Sequence, residues 1–122
     1  MVSRVIPVEE FDLVIFGGTG DLARRKILPG LFRRFLSGQM PSTSRIIGAA
    51  RSDIDGQGYR DMIRAAIAEF GGPEKNDSEG LDRFLGQLDY TPIDAKGEGG
   101  WNALAGMMRK GVVRAFYFSV AP

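Results

Sequence analysis

The chain contains neither cysteine nor histidine. Without cysteine, disulfide bonds and thiolate chemistry are excluded. Without histidine, the chain lacks the side chain that most often moves protons near neutral pH and most often ligates metals. These two absences argue against a metal site and against a catalytic centre that uses a histidine base within these residues.

An excess of charge of either sign is missing as well. The chain has 16 lysines and arginines and 15 aspartates and glutamates, a net charge of +1, so its overall charge does not indicate nucleic acid or an acidic membrane surface as a partner. No apolar run approaches the ~18 residues of a membrane span. The N-terminal sequence MVSRVIPVEE lacks the continuous apolar stretch of a signal peptide. We therefore expect a cytoplasmic protein that binds neither nucleic acid nor membranes.

The chain does contain enough apolar sequence for a core. Hydrophobic residues make up 43% of its 122 residues, a length that fits one compact domain or a piece of a larger one. Its 17 glycines are about twice the usual share. We treat the chain as one unit in which the glycine-containing turns need an explanation.

Hydrophobic periodicity predicts an alternation of strands and helices along this unit. Apolar strands are predicted at residues 11–16, 45–50, 89–93 and 115–120, the third of them weakened by Pro92. Helical spacing predicts helices near residues 28–35, 59–70, 81–88 and 101–108, with polar loops at residues 71–80 and 94–100. The alternation predicts an α/β fold: a right-handed, doubly wound parallel sheet of the Rossmann type, truncated after about four strands.

Two features of this pattern are unfavourable unless other parts of the protein compensate for them. Pro29 lies inside the first predicted helix, where its missing N–H and its ring should kink the helix at a cost of about 3 kcal/mol. The last strand, next to the first, would leave an apolar edge unpaired, and natural domains normally cover such an edge. We therefore expect that the chain is cut within a larger sheet.

The turn after the first strand has the pattern Gly17-x-x-Gly20-x-x-Ala23. Gly17 allows a tight turn, Gly20 lets the backbone approach a ligand, and Ala23 permits close packing of the helix on the sheet. The helix N-terminus offers N–H groups and partial positive charge to an anion such as a pyrophosphate. Glycine turns are also common structural connectors, so both interpretations stay open. The absence of a Gly-Lys-Ser/Thr sequence disfavours a P-loop.

The second predicted strand ends in Ala49-Ala50-Arg51-Ser52, with an arginine near the place where NAD-dependent enzymes usually have an acidic residue. A carboxylate there would repel a 2′-phosphate, whereas the Arg51 guanidinium can hold one through paired hydrogen bonds and stack on adenine. The sequence therefore favours NADP over NAD as the cofactor, with Thr19 as a second phosphate ligand through its hydroxyl. A solvated arginine at a strand end is the alternative.

Positive charge gathers at the start of the first helix, at Arg24, Arg25 and Lys26. Such charge opposes the helix dipole unless an anion lies nearby. A buried or ligand-facing Lys26 would explain its position. Arg24 and Arg25 are expected on a solvated helix face.

Three segments together resemble the N-terminal part of the glucose-6-phosphate dehydrogenase family: GGTGDLARRK from Gly17 to Lys26, ARS from Ala50 to Ser52, and FYFSVAP from Phe116 to Pro122. The resemblance implies a coenzyme phosphate loop made of Gly17, Gly18, Thr19, Gly20, Asp21 and Leu22. It implies that Arg51 holds the 2′-phosphate and that Lys26 lies between coenzyme and sugar phosphate. Ala121 and Pro122 would lie beside the nicotinamide.

The same resemblance implies an activity for the full-length parent, which we expect to be a homo-oligomer. The family oxidises glucose 6-phosphate at C1 to 6-phosphoglucono-1,5-lactone, passes hydride to NADP, and so begins the pentose phosphate pathway. The family's histidine base with its supporting aspartate, and its Glu-Lys-Pro motif, have no counterpart here. Residues 1–122 would then be the N-terminal portion of the NADP-binding domain, without the substrate domain, and inactive in isolation.

Two other interpretations stay open. One is a non-catalytic NADP-binding sensor or interaction module, which the missing base would suit. The other is a relative of the short-chain reductases, whose sequences also open with GGTG. It fits less well, because their further glycine and their Tyr-x-x-x-Lys pair are missing.

Overall fold

A computed structural model describes residues 10–41, 43–93 and 101–118. The strands in this part of the chain are β1 (Phe11–Phe16), β2 (Arg45–Ala50), β3 (Leu88–Pro92) and β4 (Val113–Phe118). The α-helices are α1 (Leu28–Leu36), α2 (Gly56–Phe70), α3 (Ser78–Leu85) and α4 (Trp101–Met107). A π-helical segment, Ala23–Ile27, leads into α1, and a 3₁₀-helix, Gly72–Asn76, lies between α2 and α3.

The strands form one parallel sheet in the order β3-β2-β1-β4. β1 pairs with β2 on one side and with β4 on the other, so that Ile15 lies opposite both Gly48 and Tyr117. The chain therefore extends the sheet in one direction as far as β3 and then returns to the other side of β1. In open α/β sheets, such a reversal creates a crevice at the carboxyl ends of the strands, where ligands bind.

Helices cover both faces of this sheet, which confirms the predicted doubly wound α/β fold. On one face, Ile15 and Ile46 pack in a buried cluster with side chains from α1, α2 and α3, including Phe32. On the other face, Val14 belongs to a second cluster with Leu104 of α4. Successive residues of β1 alternate between these two clusters, because side chains along a strand point to opposite faces. This burial on both sides is why β1 from Leu13 onward and β2 from Ile46 onward are apolar.

Pro29 is accommodated without a break in the helix. Residues 21–36 are helical throughout, and in the π-helical segment the Leu28 N–H donates to the Ala23 carbonyl, five residues back. The wider turn falls directly before the proline, whose ring would otherwise clash with the carbonyl four residues earlier. Ala23 and Pro29 are both buried. The predicted kink therefore takes the form of a π-helical segment.

A buried ion pair joins the segment after α4 to the amino end of β1. Asp12 has no exposed surface, and its carboxylate accepts hydrogen bonds from the Arg109 backbone N–H at 2.7 Å, from Nε at 3.0 Å and from Nη2 at 2.6 Å. The Arg109 guanidinium also donates to Glu10 and to the Phe11 carbonyl. Burial alone would raise the pKa of Asp12, but the hydrogen bonds and charge of Arg109 outweigh it and hold that pKa below its usual value.

The structure corrects one predicted segment and accounts for the proline in another. The loop expected at residues 71–80 is wrong in part, because it contains the 3₁₀-helix and the start of α3, which Asp77 caps by accepting from the Gly80 N–H at 2.9 Å. β3 includes Pro92 at its end, and as an edge strand it tolerates a residue without a backbone donor. The predicted loop at residues 94–100 and the last two residues of the predicted fourth strand lie outside the described residues.

Candidate functional site

The glycine turn lies at the carboxyl end of β1, in the crevice. Gly17 has a φ of +76°, a conformation that favours glycine, and the Gly20 N–H donates to the Gly17 carbonyl at 2.9 Å. A Cβ at Gly18 would lie 2.9 Å from the Tyr59 hydroxyl and 3.0 Å from the Gly48 Cα, so this position has no room for a side chain. The chain thus passes from strand to helix within a few residues, and Gly18 lets the turn pack directly on Tyr59 and on β2 at Gly48.

The turn is tied to the end of β2. The N–H groups of Gly17 and Gly18 both approach the Ala49 carbonyl, at 2.8 and 3.4 Å. The hydroxyl oxygens of Thr19 and Ser52 lie 3.0 Å apart and share a hydrogen bond. The loops that leave the two central strands are therefore joined by both backbone and side-chain contacts.

Two stacked tyrosines support these loops from within the fold. The ring centroids of Tyr59 in α2 and Tyr90 in β3 are 5.0 Å apart. The Tyr59 hydroxyl donates to the Gly18 carbonyl at 3.1 Å, and the Tyr90 hydroxyl lies 2.7 Å from the Ser52 carbonyl and 3.1 Å from the Ala50 carbonyl. Burial raises the pKa of both tyrosines, so both hydroxyls keep their protons and remain donors at neutral pH.

The helix that follows the turn begins with Asp21 and Leu22. Its first turn has N–H groups without partners within the helix, and it carries partial positive charge. The Asp21 carboxylate pairs with the Arg25 Nε at 2.7 Å and lies 3.9 Å from the Arg24 Nη2. These pairs compensate part of the positive charge that the helix dipole opposes.

Lys26 is exposed, so the expectation of a buried lysine is wrong. No described residue forms a hydrogen bond or ion pair with its ammonium group. The ligand-facing alternative stays a prediction. Arg24 and Arg25 keep at least two fifths of their side-chain surface exposed, at 41% and 56%, as expected for a solvated helix face.

Arg51 lies in the bend directly after β2, between Ala50 and Ser52. Its side chain is exposed, and within the described part of the chain no residue forms a hydrogen bond or ion pair with its guanidinium. An arginine in this state is available to an external anion. Ala121 and Pro122, expected beside the nicotinamide, lie outside the described residues.

These residues suit a dinucleotide. The glycines of the turn let a pyrophosphate approach the backbone, and the first helical turn supplies N–H donors to it. Arg51 and Thr19 add a cation and a hydroxyl next to the end of β2, where the ribose of a dinucleotide lies in this fold class. In residues 10–41, 43–93 and 101–118, no three metal-ligating side chains come together.

Sequence reasoning missed the tyrosine pair. The pattern places Tyr59 on an apolar helix face and Tyr90 in a weak strand, and it includes Ser52 only as a neighbour of Arg51. One signal was available, since a buried tyrosine needs a partner for its hydroxyl. The identity of that partner depends on which strands are neighbours, and the sequence pattern does not contain this information.

Residues 14–122 match the protein family described as glucose-6-phosphate dehydrogenase, NAD binding domain. The chain is 44% identical over its whole length to glucose-6-phosphate 1-dehydrogenase of Rhizobium meliloti, of which it covers 25%. It is 39% identical, over 95% of its length, to the protein of that name from Mycolicibacterium smegmatis, again covering 25% of it.

Solved structures agree with these matches. Glucose-6-phosphate 1-dehydrogenase from Mycobacterium avium is similar with a TM-score of 0.82 and 32% identity, over 93% of this chain and 24% of that one. A glucose-6-phosphate dehydrogenase in complex with its substrate glucose-6-phosphate gives a TM-score of 0.79 and 25% identity, over 100% of this chain and 26% of that one.

The fold and the glycine turn are those of a dinucleotide-binding α/β domain. The matched family binds NAD, which indicates that the dinucleotide is a nicotinamide coenzyme. The chain belongs to the glucose-6-phosphate dehydrogenase family, as the resemblance predicts. It spans about a quarter of the length of the curated relatives it matches. None of the described helices has the length and apolar character needed to cross a membrane.

Proposed function

We propose that this chain is the first part of the coenzyme domain of an NADP-dependent glucose-6-phosphate dehydrogenase. The whole enzyme would oxidise D-glucose 6-phosphate at C1 to 6-phospho-D-glucono-1,5-lactone, in the pentose phosphate pathway. The observation that carries the choice of coenzyme is the exposed Arg51 directly after β2, next to the Thr19–Ser52 contact. NADP has a 2′-phosphate for this guanidinium to bind, and NAD does not.

In this proposal, the turn and the first helical turn bind the coenzyme phosphates. The residues involved are Gly17, Gly18, Thr19, Gly20, Asp21 and Leu22. Their contribution is chiefly backbone N–H groups, which is consistent with the absence of side chains at the glycines. The Arg51 guanidinium and the Thr19 hydroxyl would bind the 2′-phosphate.

Lys26 would lie between the coenzyme and the sugar phosphate substrate. It is exposed on the helix that begins at the turn, and its ammonium group would attract the negative charges of coenzyme and substrate. Ala121 and Pro122 would contact the nicotinamide ring, which accepts the hydride when NADP is bound. These roles are carried over from the family resemblance.

The proposed reaction also needs a general base. As hydride leaves C1 of the sugar, the proton of the C1 hydroxyl must pass to a general base. The chain contains no histidine to act as that base. We therefore propose that the base and the substrate domain belong to the rest of the parent protein and that the isolated chain binds coenzyme without turnover. A homo-oligomeric parent and a cytoplasmic location stay predictions.

Replacing Arg51 with alanine tests the choice of coenzyme. We expect the NADP dissociation constant to rise about 10- to 100-fold and the NAD constant to change little, because only NADP has a 2′-phosphate for Arg51 to bind. Calorimetric titrations of the purified chain with both coenzymes, at one fixed ionic strength, measure the two dissociation constants and thus the ratio of NADP affinity to NAD affinity. Arg34→Ala, in the last turn of α1, removes the same charge and should change neither constant. An unchanged NADP-to-NAD ratio in Arg51→Ala would remove Arg51 from the site.

The non-catalytic sensor or interaction module is the second candidate, favoured by the absence of histidine. The complete protein encoded by the gene separates the two. Reduction of NADP that depends on glucose 6-phosphate would support the dehydrogenase, and NADP binding without turnover would support the sensor. Turnover by the rigorously purified 122-residue chain would contradict the proposal that the base lies elsewhere.

A further inference from the structure

We infer that Tyr90 is a positioning residue for coenzyme specificity, because its hydroxyl contacts the backbone on both sides of Arg51 and so holds the backbone from which the Arg51 side chain projects. This inference rests on the proposed function and deepens it. We use the term Tyr90 clasp for the contacts of its hydroxyl with the Ala50 and Ser52 carbonyls, together with the hydroxyl contact between Ser52 and Thr19.

The clasp determines the course of the backbone at Arg51. The carbonyls of the residues before and after Arg51 converge on one hydroxyl, so the backbone curls around Tyr90 and leaves the Arg51 side chain in solvent. The Ala50 carbonyl also accepts from the Ile93 N–H at 2.7 Å. A hydroxyl has one proton to donate, so its main role is to satisfy the nearer Ser52 carbonyl.

The base of the clasp is rigid. Tyr90 is 6% exposed, pairs with Gly48 in the strand register and stacks on Tyr59. Gly48 has no side chain, which gives the Tyr59 ring its place against β2. Because a packed aromatic ring on a strand has little freedom, the hydroxyl of Tyr90 is a fixed point for the loop.

The clasp is part of a closed set of contacts that reaches the glycine turn. Tyr59 holds the Gly18 carbonyl, Thr19 holds Ser52, and Ser52 is held by Tyr90. The loop that carries Arg51 and the turn that would bind the pyrophosphate are thereby kept at a fixed separation. A ligand with phosphate groups at both places gains from such a fixed arrangement, because less order has to be imposed when it binds.

The loss of the Tyr90 hydroxyl should therefore affect NADP more than NAD. Arginine has many rotamers, and ordering its side chain on a ligand lowers affinity unless the backbone already limits the choice. Without the clasp, the Ser52 carbonyl loses its donor and the bend at Arg51 gains freedom. NAD lacks the 2′-phosphate, so it depends on the guanidinium only through stacking on adenine and should be affected less.

The test compares Tyr90→Phe with the unchanged chain and with Tyr117→Phe, by titration with NADP and NAD and by thermal unfolding. Tyr117 is 44% exposed on β4, and no hydrogen bond of its hydroxyl is present among the described residues. We expect Tyr90→Phe to raise the NADP dissociation constant about tenfold, with a smaller change for NAD, and Tyr117→Phe to change neither. Equal losses for both coenzymes would overturn the inference, because they would indicate a purely structural role.

A double-mutant cycle tests whether Tyr90 acts through Arg51. In the Arg51→Ala background, Tyr90→Phe should leave the NADP-to-NAD ratio unchanged, since the guanidinium that it positions is gone. A further change of similar size in that background would overturn the inference. If Tyr90→Phe fails to fold, Ser52→Ala tests the other contact of the clasp, the hydroxyl pair of Ser52 and Thr19, and leaves the Ser52 carbonyl on Tyr90. It should lower the affinity for NADP relative to that for NAD, and an unaltered relative affinity would count against the clasp.

The outcomes also separate this inference from the proposed function. If the unchanged chain is folded and prefers NADP while Tyr90→Phe keeps the same preference, only the inference fails. If the folded, unchanged chain binds neither coenzyme, the proposed function fails and the inference fails with it.

Discussion

Asp12 carries a buried negative charge, and Arg109 stabilises that charge through an ion pair and hydrogen bonds. The two partners differ in burial, since Asp12 has no exposed side-chain surface and the Arg109 side chain is 31% exposed. Removing the arginine therefore leaves a buried carboxylate with its backbone donor alone, whereas removing the carboxylate leaves a cation that water can reach. Breaking such a pair is costly mainly because of the charge that stays behind.

The two partners should accordingly respond differently to substitution. We expect Arg109→Met to lower the free energy of unfolding by about 3 kcal/mol, and Asp12→Asn to lower it by only about 1 kcal/mol. Urea unfolding at neutral pH measures both, with Arg34→Met as a control that should stay within about 0.5 kcal/mol of the unchanged chain. Equal losses in the two variants would contradict the asymmetry.

The same comparison extends to pH. In the unchanged chain the pKa of Asp12 is lowered, so its contribution to stability is present at neutral pH and is lost as pH falls below about 4, the ordinary range of aspartate. In Arg109→Met, burial is expected to raise the pKa of Asp12, and stability is then lost as pH rises through that raised value. The difference between the two proteins should shrink on acidification, and a constant difference would argue against this assignment.

At the scale of elements, the Tyr59 ring of α2 packs directly on β2 at Gly48. A Cβ there would lie 2.5 Å from the Tyr59 Cζ, so Gly48→Ala must displace a ring whose hydroxyl holds Gly18. We expect the free energy of unfolding to fall by about 1–3 kcal/mol and the affinities for both coenzymes to fall together, because the glycine turn shifts as a whole.

The control for this substitution is Gly106→Ala in α4, where an added Cβ meets nothing within 4 Å. It should be neutral or raise the free energy of unfolding by up to about 1 kcal/mol, since alanine favours helix. Denaturation and coenzyme titration of both variants measure these effects. A Gly48→Ala protein with unchanged stability would show that α2 can move away from the sheet at little cost.

The strands and the α-helices could largely be predicted from the sequence, because their buried residues recur with the period of a strand or a helix. The 3₁₀-helix Gly72–Asn76 and the start of α3 were missed, because that segment has no apolar periodicity. The tight turn at Gly17 and the close packing of Ala23 could also be predicted, because the pattern of small residues in the turn is local in the sequence. The Tyr90 clasp could not be predicted, because it joins residues of two strands whose pairing is a property of the sheet. The acceptance of Pro92 likewise depends on β3 being an edge strand.

At the scale of the whole molecule, β4 is an edge strand with large apolar side chains in solvent. Val113 and Phe116 are each 50% exposed and Tyr117 is 44% exposed. In the described residues β4 pairs with β1 alone, so its outer backbone groups have no strand partner there. Such an edge is a template for pairing with another chain.

We therefore expect the 122-residue chain to self-associate as its concentration rises. Val113→Lys should shift association to higher concentration, because a charge on an edge strand opposes pairing. Sedimentation velocity over a concentration series measures the shift. Ala65→Lys, on the exposed side of α2, adds the same charge away from the edge and should have little effect. A chain that stays monomeric at every concentration would contradict the expectation.

The two layers of helices differ in their chromophores. Trp101 is the one tryptophan of the chain, and from α4 its ring lies 5.7 Å from that of Phe16. The stacked pair of Tyr59 and Tyr90 lies on the opposite face of the sheet, within the larger cluster. Tryptophan emission therefore reports on the docking of α4. The near-ultraviolet circular dichroism that is lost in a Tyr90→Phe variant reports on the layer that supports the crevice. The unfolding of one layer can thus be distinguished optically from that of the other without any added label.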